Sequence, residues 1–137
     1  MTRPALVPEL LVTDLAASLS FWCGLLGFAV VYDRPEDGFA CIERDGARVM
    51  LDTIDRTRDW VAAPLAAPFG RGMNLEIAVA SVAPLLAALD AAGWPLFLAP
   101  EEKSYRVGTG AVRVRQFIVQ DPDGYLVRFS ENMSRSG

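Results

Sequence analysis

Glu9-Leu-Leu-Val-Thr-Asp-Leu-Ala-Ala-Ser-Leu-Ser-Phe-Trp-Cys-Gly-Leu-Leu-Gly-Phe28 reads as a strand, a capped helix and the opening of a second strand. Leu10, Leu11 and Val12 form a short apolar run that stops at Thr13-Asp14. Asp14 is a good helix N-cap, Leu15, Leu19, Trp22 and Leu26 recur at helical spacing, and Gly27 suits a left-handed C-cap. The spacing predicts a helix over 15–26. Three strand-like runs follow, at 28–32, 39–43 and 48–52, separated by the turn signals Pro35-Glu-Asp-Gly38 and Asp45-Gly46. The order is one strand, one helix and three strands.

The second half repeats it. Residues 74–79 read as a strand, Ser81 is a cap, and Val82, Leu85, Leu86 and Leu89 form a helical stripe that Gly93 closes. Pro84 falls in the first helical turn, where a missing N–H is tolerated. Strands are expected at 95–98, 112–119 and 125–129, with Asp121-Pro-Asp-Gly124 as the last turn. The repeats cover about 5–55 and 71–132, and an Ala- and Pro-rich stretch at 56–70 links them. The matching caps and hairpins predict an α+β fold of two βαβββ units in one domain. An incompletely closed eight-stranded sheet around a ligand cavity, with helices outside, buries both apolar strand faces.

Composition narrows the function. Hydrophobic residues make up 52% and charged residues 22%, as in a globular protein rather than a disordered one. A formal charge of -4 opposes general attraction to nucleic acid or anionic membrane. Histidine is absent, which removes the usual imidazole base, the Ser-His-Asp and Cys-His nucleophile systems and the commonest metal ligand. Cys23 and Cys41 lack CxxC spacing and sit in apolar surroundings, which fits a reducing compartment. No run is long and apolar enough for a membrane span or a signal peptide, so the expected location is the cytoplasm.

The run from Val7 to Phe28 resembles the opening of vicinal-oxygen-chelate proteins, above all their glyoxalase and bleomycin resistance group. Phe117-Ile-Val-Gln-Asp-Pro-Asp-Gly-Tyr-Leu-Val-Arg-Phe129 is similar to that group's penultimate hairpin, and Phe39-Ala-Cys-Ile-Glu-Arg-Asp-Gly46 lies between them. In the group's metalloenzymes, ligands stand near the start of the first strand and on the last strand of each unit. The resemblance carries those positions onto Val7, Asn74 and Arg128, and onto one of Met50, Leu51 and Asp52. Valine, asparagine and arginine do not make a divalent-ion site, and a guanidinium repels a cation. A cavity without metal or other cofactor is therefore implied. Such cavities in similar members sequester bleomycin-like glycopeptides at a homodimer interface, with N-terminal strands that can exchange. Pro8 fits either an exchange hinge or an edge strand.

Candidate ligand contacts follow. Tyr32, Asp33 and Phe39, with Glu36 and Asp37 nearby, suit a planar cationic group. Trp60 has no stripe to join and is expected to cap the cavity or pack on a dimer partner. Tyr105 and Arg106 lie in an expected loop at 101–111, beside Arg113 and Arg115. Arg128 needs a carboxylate, from Asp52, Glu76 or a ligand. The leading expectation is non-catalytic, antibiotic-type small-molecule binding by a homodimer, with Tyr32, Asp33, Phe39, Asp52, Trp60, Asn74, Tyr105, Arg113 and Arg128 as contacts. Two others stand beside it. One is a metal-independent lyase or isomerase using Glu76, Asp52 or Tyr105 with Arg128; the other is a dimeric interaction module with a filled cavity.

Overall fold

The computed structural model describes residues 3–56 and 60–134. The chain forms two compact units, with the division between Phe69 and Gly70. Each has the βαβββ order read from the sequence. In the first, β1 (Glu9–Val12) and α1 (Leu15–Trp22) lead into β2 (Ala29–Arg34), β3 (Phe39–Arg44) and β4 (Ala47–Thr53). In the second, β5 (Asn74–Val79) and α2 (Ala83–Ala91) lead into β6 (Leu96–Val107), β7 (Gly110–Gln120) and β8 (Leu126–Asn132). Hydrogen bonding gives two four-stranded sheets, ordered β1-β4-β3-β2 and β5-β8-β7-β6.

In each sheet the first strand lies parallel to the last, and the remaining pairs are antiparallel. Strand alternation then sorts the side chains. In the first unit Leu10, Val12, Ala40, Ile42, Val49 and Leu51 are buried on one face, and Phe21, Trp22, Leu26 and Phe28 complete that core. Trp22 meets Phe21 and Phe28 edge-on, with ring centroids 6.1 and 5.2 Å away. Each of these aromatic burials is worth roughly 2–3 kcal/mol.

Helix α1 ends four residues earlier than its spacing predicts, and its buried side is Ser18, Phe21 and Trp22 rather than the stripe through Leu15 and Leu19. Two adjacent aromatics compete for the interior and turn the helix towards themselves. Beyond Cys23 the chain coils more widely, with Leu26 N–H donating to Phe21 C=O at 3.1 Å and Phe28 N–H to Trp22 C=O at 3.1 Å. Gly24 permits that turn, because a Cβ there would collide with the Ser20 carbonyl oxygen.

Helix α2 follows its expected stripe, with Val82, Leu85 and Leu89 buried and Pro84 in the first turn. The Ser81 hydroxyl accepts from Ala83 N–H at 3.3 Å. Glu131 on β8 accepts from Val82 N–H at 3.0 Å, which fixes the helix start over the Glu131 side of the sheet. Register places Ile77, Phe117 and Phe129 on that same side, where the two phenyl rings stack at 5.5 Å. The opposite, open side carries Asn74, Glu76, Gln116, Arg128 and Ser130.

The largest departure from the sequence reading is β6. The expected loop at 101–111 is strand: β6 runs to Val107 and pairs with β7 through the two-residue turn Gly108-Thr109. Irregular pairing between Leu96 and Glu101 accommodates Pro100. No helix among the described residues is long and apolar enough to cross a membrane.

Asp121 locks the β7–β8 turn. It is 3% exposed, and its carboxylate accepts from Asp123 N–H at 3.0 Å and Tyr125 N–H at 2.9 Å. Replacing it with alanine strands two buried donors, and Asp121→Ala is expected to lower unfolding free energy by about 2–3 kcal/mol in urea titrations. A change within error would contradict this account of the turn.

Candidate functional site

The open side of the second sheet holds a connected polar cluster. Parallel pairing sets Glu76 beside Arg128, and antiparallel pairing sets Gln116 beside Ser130 and Glu101 beside Gln116. Arg128 donates through Nε to Asn74 Oδ1 at 3.0 Å and through Nη1 to Gln116 Oε1 at 3.4 Å. Its Nη1 also lies 3.6 Å from Glu76 Oε2. Gln116, itself 3% exposed, donates through Nε2 to Glu101 Oε2 at 2.9 Å and to Tyr105 Oη at 2.7 Å.

Glu76 is thus the carboxylate that Arg128 requires within its own unit. The pair is only partly shielded, with side chains 27% and 51% exposed, so its net worth is at most about 1 kcal/mol. It helps to hold the guanidinium in place.

The corresponding face of the first sheet is different. Tyr32, Phe39, Asp52 and Met50 share it, by the pairings Tyr32 with Cys41, Phe39 with Asp52 and Cys41 with Met50. The Tyr32 and Phe39 rings lie 5.9 Å apart, and the Arg34 guanidinium sits over Phe39 at 4.0 Å. Asp52 is buried at 8% exposure.

Two equivalent registers identify the position that the sequence leaves open among Met50, Leu51 and Asp52. Glu9 pairs with Met50 as Glu76 pairs with Arg128, each five residues before Asp14 or Ser81, although the N-cap of α2 is Val82 rather than the expected Ser81. Met50 is therefore the counterpart of Arg128. Leu51 is turned into the core and Asp52 corresponds to Ser130.

Not every expected contact reaches these faces. Arg113 lies on the helix side of its sheet, exposed, 3.8 Å from Glu102; Arg115 shares that side, 3.4 Å from the same carboxylate. The reason is alternation, since Arg113 has the parity of buried Phe117 and the opposite parity to Gln116. Asp33 pairs with Ala40 and so points away from Tyr32 and Phe39. Trp60 is 72% exposed. Gln116 and Glu101 enter the cluster without having been singled out by sequence. Their only signal is parity with Arg128 across two strand pairs.

A divalent ion does not fit these residues. Val7 and Met50 offer no hard donor, the Asn74 oxygen is already taken by Arg128, and Arg128 carries a permanent positive charge. No group of three or more Cys, Asp or Glu side chains suited to a metal occurs among the described residues. The thiols do not replace it: Cys41 is buried, and burial pushes the Cys23 thiol above its ordinary value.

A family model described as the glyoxalase/bleomycin resistance protein/dioxygenase superfamily matches residues 6–129. Among solved structures, a virulence protein from Salmonella typhimurium is 17% identical, with 96% of this chain and 98% of that chain covered and a TM-score of 0.70. An integron cassette protein from V. cholerae is 19% identical, with 96% and 97% covered and a TM-score of 0.70. TioX from Micromonospora sp. ML1 is 22% identical, with 93% and 97% covered and a TM-score of 0.66. At these identities the likeness is one of fold. No curated protein matches the chain.

Zinc or manganese in excess over protein is expected to leave the melting temperature unchanged, because an ion that binds the folded state would raise it by mass action. A saturable rise would show that the donor set has been misjudged.

Proposed function

Because the chain belongs to the glyoxalase/bleomycin resistance protein/dioxygenase superfamily, and because its chelating positions carry an amide and a guanidinium, we propose that it binds and sequesters a small molecule without chemistry. The observation that carries this reading is Arg128. The residue is pinned by Asn74, Gln116 and Glu76 on the sheet face away from α2, at a position where the family's metalloenzymes place a ligand. Such a group offers fixed donors to a ligand's acceptor atoms, and it does not turn bound water into a hydroxide nucleophile as a metal ion would.

The first unit supports an antibiotic-type ligand of the bleomycin kind. Arg34 over Phe39, beside Tyr32 and Asp52, is an intramolecular stand-in for a planar cationic group resting on an aromatic face. Sequestration would be stoichiometric, in a cytoplasmic homodimer. The exposed aromatics Trp60, Phe97 and Tyr105 favour a second copy, since water covers them in the single chain. Exchange of the strand after Pro8 is one way to build that dimer. Within one chain, Pro8 C=O accepts from Met50 N–H at 2.9 Å, so an exchanged strand would re-form this bond on its partner.

Calorimetric titration with a bleomycin-family glycopeptide is expected to give saturable heat at micromolar drug, and Arg128→Met to weaken binding about tenfold while circular dichroism stays the same. No heat from the wild-type protein would overturn the antibiotic assignment. Light scattering after size exclusion is expected to give the mass of two chains; a single-chain mass at every concentration would remove the homodimer.

A further inference from the structure

Hydrogen-bond polarity around Arg128 specifies what kind of ligand the second unit takes, an inference that rests on the small-molecule reading above. A guanidinium only donates, so both amides that touch it present their oxygens: Asn74 Oδ1 at 3.0 Å and Gln116 Oε1 at 3.4 Å. Glu101, as a carboxylate, only accepts, and its 2.9 Å bond to Gln116 Nε2 independently fixes the same orientation of that amide. The second N–H of Gln116 Nε2 then points at Tyr105 Oη, 2.7 Å away, and the phenol oxygen is the acceptor there.

The consequence is that the Tyr105 hydroxyl proton is turned outward. Among the described residues no other group is hydrogen-bonded to that hydroxyl or to Asn74 Nδ2. Two donors, Tyr105 O–H and Asn74 Nδ2–H, are therefore presented by side chains tied to one another through Arg128 and Gln116. Lys103 stands on the same side of the sheet by its pairing with Val114. Two carboxylates, Glu76 and Glu101, offset the charges of Arg128 and Lys103, so the face is donor-rich without being strongly cationic.

We infer that this face binds a ligand through acceptor oxygens, a carboxylate or a carbonyl, with Tyr105 O–H and Asn74 Nδ2–H as the donors on either side of the Arg128 charge. Gln116 is a positioning residue: it touches no ligand but sets the direction in which Tyr105 donates. A cationic or donor-only group would meet the Tyr105 O–H and the Asn74 N–H and leave them unpaired, which costs more than a missing contact.

The test uses two small probes of similar shape, phenylacetate as the acceptor and benzamidine as the donor, read by NMR at the Tyr105 ring and the Arg128 Nε–H. Phenylacetate is expected to shift both signals saturably, and benzamidine neither. Tyr105→Phe is expected to weaken phenylacetate about tenfold. Gln116→Glu keeps the phenol but replaces the amide donor with an acceptor, which draws the Tyr105 proton inward; the same tenfold loss is expected although Tyr105 is intact. Saturable shifts from benzamidine, no shifts from phenylacetate, or unchanged phenylacetate affinity in Tyr105→Phe would each overturn the inference. None of these decides whether the protein binds a drug at all, which the calorimetric titration reads separately.

Discussion

The parallel pairing of the first strand with the last in each unit is the constraint on which the site depends. It sets Glu76 beside Arg128, across one strand pair, and brings Asn74 close enough for a 3.0 Å bond to the same guanidinium. Without that pairing the three side chains would belong to strands with no reason to share chemistry. The helix between the two strands makes the crossover, and Glu131 ties its start back to β8. The architecture thus presents the ends of two distant segments, residues 74–76 and 126–130, as one surface.

In a metalloprotein that surface would gather ligands around an ion. Here Arg128 occupies the centre, and amide oxygens and a carboxylate gather around a fixed cation supplied by the chain. The exchange has a structural logic. A guanidinium offers several donors in a rigid plane, so it organises Asn74 and Gln116 much as an ion would. The first unit shows no such substitution. Met50, the counterpart of Arg128, is apolar, and the face is given over to Tyr32, Phe39 and buried Asp52. The duplicated units have diverged into an aromatic face and a donor face.

Much of the fold was legible because it rests on local signals. Asp14 does accept from Ala17 N–H, at 3.2 Å, and Val82, Leu85 and Leu89 are the buried stripe of α2. The end of α1 was not legible, since its course beyond Trp22 follows from two aromatics competing for one core rather than from periodicity. Nor was the length of β6. Ala99-Pro100-Glu-Glu-Lys-Ser-Tyr-Arg106 has no alternation of apolar and polar residues, and it is strand because β7 pairs with it across a tight turn. At the site, Asn74, Tyr105 and Arg128 could be named from sequence, but Gln116 could not: a glutamine in a strand carries no chemical signature until its cross-strand neighbours are known. Arg113 was the converse case. Its parity with Phe117 already placed it on the helix side.

The central claim is that a chain-borne guanidinium has taken the place of a metal as the organiser of a binding face. Native mass spectrometry of the wild-type protein and Arg128→Met, each exposed to the same small-molecule extract and to zinc, tests it most directly. The account predicts an organic adduct on the wild-type protein that Arg128→Met loses, and zinc retained by neither. A stoichiometric zinc adduct on the wild-type protein, or an organic adduct equally strong in both proteins, would contradict it.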